Sequence, residues 1–359
     1  GLVLSFTTLS VAAAFVSLLL WSSPSLAGSC DPSGPGTWSC SGAASGTASD
    51  ASVAILSPAP VTIVTQPGFG LSTAVEAIRV DTLGGIIITD VNASSIMSSG
   101  GQGILAINDL SGAVAITSNG SITGADGIYV SNTGTGSTTV TSSGTVTGTT
   151  GDGINVTNDG SATDLTVNQT GGVISGASNG IFTTHYGIGT TTIVVAGDVN
   201  GATENGIWAQ NFANATDITI TQAAGSTITG YTHGIRADNW AAGAVSITTA
   251  GIINQTQTGA ANNDTYGIYA YNSISGADIT LTQTAGSISG NWYAMYANNQ
   301  GSGSTTIISS GDVTAIERAG LYAYNAGTAQ DIVVNQTVGT VKGGTYGVFA
   351  DNAGIGSTT

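Results

Sequence analysis

The sequence predicts an all-β chain wound as a parallel β-helix, with three strands per coil of about 26–28 residues. Three observations carry this. A six-residue phrase, Gly-Ile-x-Ala-x-Asn, occurs ten times, starting at Gly103, Gly127, Gly153, Gly180, Gly206, Gly234, Gly267, Ala294, Gly320 and Gly347. Each phrase is too short to bury an apolar side alone, so a fixed period means stacking of one copy on the next. Glycine is abundant at 54 residues and charged residues make up only 7%, which suits tightly stacked strands where like charges would repel.

Within the phrase, positions two and four alternate with polar or variable positions, the period of a strand with one buried face. Position two is aliphatic or Met, from Ile104 and Ile128 to Met295, Leu321 and Val348; position four is mostly small, as in Ala106, Ala209, Ala270 and Ala350. Position six is Asn in nine copies: Asn108, Asn132, Asn158, Asn211, Asn239, Asn272, Asn299, Asn325 and Asn352, with His185 in the remaining one. Asn tolerates the left-handed backbone of a sharp bend and offers an amide for bonding, so stacked copies are expected to form a structural ladder of Asn amides up one corner.

In chain order, Leu2 to Trp21 form an apolar run followed by Ser25-Leu26-Ala27. This reads as a secretory signal peptide over 1–27, cleaved after Ala27, with an uncleaved membrane anchor as the competing reading. Cys30 and Cys40 are the only cysteines. In an exported chain such a pair is expected to be a disulfide, since a zinc site needs two more ligands and no His is near. Residues 28–100 contain strands such as Val61-Thr62-Ile63-Val64 without the full phrase, and are expected to form an N-terminal cap with irregular first coils. A solenoid end needs such cover because an open strand edge recruits other chains. Residues 101–359 are the regular coils.

Two kinds of coil alternate there. Asp164, Asp217, Asp278 and Asp331 fall on every second coil, with Ser137, Thr190, Ala244 or Ser304 at the equivalent place between them. The alternation doubles carboxylate spacing to roughly 10 Å, about one screening length. The long interval after Gly234 adds Gln255 to Asp264, expected to bulge from one corner.

Signal, Cys30-to-Cys40 cap and phrase repeats together resemble the secreted passenger regions of bacterial autotransporters (type V secretion). The resemblance covers nearly the whole chain and implies a right-handed parallel β-helix, exported to the outer membrane, cell surface or medium through a C-terminal barrel. No barrel follows Thr359 in this sequence, so a fragment is expected.

Position three points outward and is aromatic in seven copies: Tyr129, Phe182, Trp208, Tyr269, Tyr296, Tyr322 and Phe349. Tyr271 and Tyr324 share that face, and Tyr266, Tyr293 and Tyr346 precede the phrase. A stripe of this kind is a candidate binding surface for glycan, a cell-surface ligand or a second rod; the competing reading is that ring stacking only stabilises the fold. The net charge of −16, with Arg79, Arg236, Arg318 and Lys342 the only Lys or Arg, excludes a phosphate-neutralising nucleic-acid surface. Asp126 and Asp152 immediately precede two phrases, the pairing a glycosidase or lyase would use, but nothing cationic follows them and they read as solvated bend residues. His185 reads as a ladder substitution, and neither it nor His233 has a Cys partner for a metal. No catalytic residue, metal or cofactor is expected. The functional expectation is a structural, adhesive or autoaggregating rod; the alternatives are a polysaccharide lyase or hydrolase on the same fold, or an inert stalk.

Overall fold

The computed structural model describes residues 27–212, 214–258 and 264–359. The signal-like run over 1–26 and the middle of the 255–264 insertion lie outside the described residues. The described chain is all β, with three long sheets running side by side. One sheet holds the phrase strands, twelve in all, from Val53–Ser57 through Ile104–Asn108 to Tyr346–Asn352. A winding is illustrated by Ile128–Asn132, Thr138–Ser142 and Thr145–Gly148, one strand in each sheet. Each pairs in parallel with the equivalent strand of the next winding: Ile128 with Ile154, Thr138 with Leu165, Thr145 with Val173. This is a parallel β-helix of about twelve windings, three strands to each.

Positions two and four of the phrase point inward. Ile128, Val130, Ile154, Val156, Ile207 and Ala209 are all fully buried, and so are the inward Val140, Val167 and Ile220 of the second sheet and Val146 and Ile174 of the third. One continuous apolar core therefore runs the length of the solenoid, each fully buried Ile or Val stabilising it by about 1.5–3 kcal/mol. The leading Gly of the phrase is a matter of clearance. A Cβ on Gly127 would stand 2.6 Å from the carbonyl oxygen of Gly153 on the next winding.

The regular stacking begins earlier than the phrase does. Val53–Ser57 pairs in parallel with Ile78–Thr82, which pairs in turn with Ile104–Asn108. Ile78 and Val80 are fully buried, so alternation alone builds these windings. Below them, Ser29–Gly34 and Thr37–Ser41 form an antiparallel hairpin whose second strand pairs in parallel with Val61–Thr65. Cys30 and Cys40 face each other across that hairpin and are joined as a disulfide.

The Asn residues do not turn the chain in the expected way. Among the described residues, left-handed φ values belong to glycines, Ala48 and Ala93, and to no ladder Asn. Each Asn instead ends its strand in extended backbone, and its side chain stabilises the corner that follows.

Candidate functional site

The Asn residues stand in register, Asn108 on Asn132 on Asn158, then His185, Asn211, Asn239, Asn272, Asn299, Asn325 and Asn352. All but Asn352 are fully buried. The amides mostly bond to the corner rather than to one another. Asn211 Nδ2 donates to the carbonyls of Thr216 and Asp217, both at 3.0 Å, and Asn325 does the same with Gln330 and Asp331. Asn299 donates both to its own corner at Gly303 and to Ala277 of the winding below. A direct amide–amide bond links Asn108 Nδ2 to Asn132 Oδ1 at 2.8 Å. Elsewhere hydroxyls bridge: Thr191 Oγ1 donates to Asn211 Oδ1 and Thr305 Oγ1 to Asn325 Oδ1, both at 2.6 Å. This column meets the donor and acceptor needs of buried corners, which would otherwise be costly.

The alternating carboxylates act in the same sense. Asp217 Oδ1 accepts from the backbone N–H of Ala244 at 2.7 Å and Asp278 Oδ1 from Ser304 at 2.7 Å. Asp164 and Asp331 accept likewise from Thr190 and Ser357. Each Asp thus anchors the following winding.

The aromatic side chains gather into one column on the phrase sheet. Phe182, Trp208, Arg236, Tyr269, Tyr296, Tyr322 and Phe349 are consecutive cross-strand partners. Phe182 meets Trp208 with ring centroids 5.1 Å apart. From Tyr269 upward the rings are nearly parallel: Tyr269–Tyr296 at 5.3 Å and 5°, Tyr296–Tyr322 at 4.8 Å and 6°, Tyr322–Phe349 at 5.3 Å and 6°. Arg236 does not interrupt the column. Its guanidinium lies 4.9 Å from the Trp208 ring and 5.3 Å from the Tyr269 ring, a cation between two π faces. Tyr129 stands apart, because its partners are Leu105 and Asn155.

Tyr266 and Tyr293, which precede the phrase, form a buried layer beneath the column, 6% and 8% exposed. Tyr266 stacks on Tyr269 and Tyr296 with centroids 5.3 and 5.1 Å away. Burial pushes the phenols of Tyr266, Tyr269 and Tyr296 far above their ordinary range, so they stay neutral, and Tyr296 Oη accepts from Asn298 Nδ2 at 3.4 Å. Tyr346, by contrast, is exposed. Beside the upper column, Arg318 lies over Trp292 at 4.7 Å. A cavity of about 300 Å³ opens there between Tyr293, Arg318, Tyr322, Phe349 and Asp351.

Asp126 and Asp152 do lie on adjacent windings, but Asp152 is no solvated bend residue. It is 7% exposed and belongs to a directed polar ladder. His233 Nδ1 donates to Asn205 Oδ1 at 2.7 Å, Asn205 Nδ2 to Asn179 Oδ1 at 2.9 Å, and Asn179 Nδ2 to Asp152 Oδ1 at 2.9 Å. The backbone N–H of Asp152 then donates to Asp126 Oδ1 at 2.7 Å. Burial, with lesser contributions from Asp126 and Glu204, raises the Asp152 carboxyl above its ordinary value. His233 Nε2 faces the exposed Asp264 carboxylate at 3.6 Å. His185 is buried in the Asn column with Nδ1 3.1 Å from Thr191 Oγ1. Among the described residues, no group of three or more His, Cys, Asp or Glu side chains is placed to hold a metal ion.

Three aromatic residues follow the Asn column by one place, Tyr186, Phe212 and Trp240. Tyr186 and Phe212 stack at 4.6 Å, and Trp240 packs at 4.8 Å on Tyr271, which precedes Asn272. The signal for them was present as a bulky residue after position six on three successive windings. Comparison of the chain with protein-family models, curated proteins and solved structures gave no match.

Proposed function

We propose that the chain is the passenger region of an autotransporter-type protein, a rod displayed on or released from the bacterial surface that adheres through its aromatic column. The observation that carries this is the column itself, seven side chains in unbroken register from Phe182 to Phe349. Half-buried rings in a continuous line form an apolar surface larger than scattered exposed residues would give. The disulfide-joined hairpin and the signal-like N-terminal run support an exported chain. Replacing Trp208, Tyr269 and Tyr296 together with Ser is expected to abolish adhesion and aggregation of cells displaying the rod. Circular dichroism must show the β content retained, and unchanged adhesion would remove the column from the reading.

A polysaccharide-acting enzyme is the second reading. What favours it is Asp152, a buried carboxyl raised by its burial, whose backbone N–H donates to Asp126 on the neighbouring winding, a pair of carboxyl groups of the kind a glycosidase uses. Release of reducing sugar by the purified rod, abolished in Asp152→Asn, would put this reading first.

A further inference from the structure

We propose that the column takes an extended, uncharged β-1,4-linked hexose polymer lying parallel to the solenoid axis, one sugar to each winding. This rests on the reading of the column as a binding face and specifies its ligand.

The first support is the way the rings overlap. Near-parallel rings touching at a carbon–carbon distance of about 3.5–4.0 Å, but with centroids 4.8–5.3 Å apart, are slipped sideways by roughly 3–4 Å. That slip exceeds a ring radius. Part of each face from Tyr269 to Phe349 is therefore left uncovered by its column neighbour, like overlapping tiles; Tyr266 and Tyr293 pack against the inner side, and each ring stays half-exposed on the outer side. The apolar C–H face of a hexose packs on such a surface.

The second is spacing. Successive windings are held about 4.8 Å apart by their backbone bonds, and the rise per sugar of an extended β-1,4-linked chain is close to this. A polymer along the axis therefore meets a fresh aromatic platform at each sugar and stays in phase over several windings. An α-1,4-linked chain curls and falls out of phase.

The third is the chemistry alongside. Two residues after the column positions run Thr184, Gln210, Asp238, Tyr271, Asn298, Tyr324 and Asp351 in parallel register; Thr184 and Asp238 are buried, and Gln210, Asn298, Tyr324 and Asp351 supply polar groups beside the rings for equatorial hydroxyls. A polyanion is disfavoured, because the chain carries a net charge of −16 and the cation inside the column, Arg236, is already bonded to Asp238 at 2.7 Å.

The experiment is titration of the purified rod with β-1,4-linked glucose and N-acetylglucosamine oligomers of increasing length, followed by Trp fluorescence and calorimetry. The affinity is expected to rise with each added sugar until the oligomer spans the column and then to level off. Maltose-type oligomers and polygalacturonate are expected to bind at least about tenfold more weakly. Tyr296→Ser should remove at least about tenfold of the affinity for the longest oligomers, whereas Tyr296→Phe, which keeps the ring face, should retain it. Affinity independent of length, equal binding of the α-linked or anionic chains, or no binding at all would overturn the proposal. If the Trp208, Tyr269 and Tyr296 substitutions still abolish cell adhesion in that event, the column remains a binding face and only this ligand falls. If adhesion survives them, both readings fall.

Discussion

Trp208 and Arg236, on adjacent windings, bond to the same carboxylate oxygen. Trp208 Nε1 donates to Asp238 Oδ2 at 2.8 Å and Arg236 Nε donates to it at 2.7 Å. Asp238 is only 2% exposed, and its second donor, Arg236, also fills the gap between two aromatic rings. One buried carboxylate thus fixes the position at which the column changes from ring to cation and back.

Asp238→Ala is therefore expected to destabilise the rod by about 3 kcal/mol, because it leaves a partly buried guanidinium without its partner. Denaturant unfolding measures this directly. The near-ultraviolet signal of Trp208 should change as well, since its indole N–H loses an acceptor. A loss below 1 kcal/mol would mean that the shared oxygen does little.

The alternation of Asp-bearing windings predicts a specific penalty. Ala244→Asp would place carboxylates at Asp217, 244 and Asp278 on three consecutive windings, at half their present spacing. The expected cost is about 1 kcal/mol at low ionic strength. It should shrink in salt, because the sites are at the surface. A salt-independent cost would point to a steric cause at the corner instead.

Acid should weaken the fold through its two buried histidines. Burial holds the imidazoles of His185 and His233 below their ordinary value of 6.5. Below that pH the unfolded chain binds protons that the folded chain refuses, so stability is full above about 6.5 and declines as the pH falls. Replacing both with Asn should flatten the dependence of stability on pH as the pH falls below about 6.5. An unchanged slope would assign the acid sensitivity elsewhere.

Asp152 has the opposite sign. Its folded carboxyl is raised above 3.8, so its charged form is disfavoured in the fold at neutral pH and the group costs stability there. Asp152→Asn keeps an oxygen for the two Asn179 donors, and Asn155, which donates to Asp152 Oδ2 at 2.9 Å, can turn its amide to match. The variant is expected to be more stable than the parent at pH 7, with the gain disappearing below pH 3.8. Thermal unfolding at both pH values provides the check.

Much of this architecture was legible in the residues. The alternation of Ile128, Val130 and Asn132, repeated at a fixed interval, dictates both which face is buried and which residues stack. The windings at Val53 and Ile78 were harder to see, because they keep the alternation but lack the glycine and Asn that mark the phrase. The polar ladder through Asn179, Asn205 and His233 was missed for a different reason. Those residues look like ordinary bend residues, and only the pairing of windings shows that each faces the next in a buried corner.

Nearly every bond that shapes a corner stays within one winding or reaches only the next, as with Asn211 to Asp217 and Asp217 to Ala244. A gene encoding such a chain can therefore be lengthened or shortened by whole coils through duplication or deletion, with the junction healing wherever an Asp-type coil again meets its complement. The unit of inheritance would then be a pair of coils, and the reach of the aromatic line would change in steps of two rings.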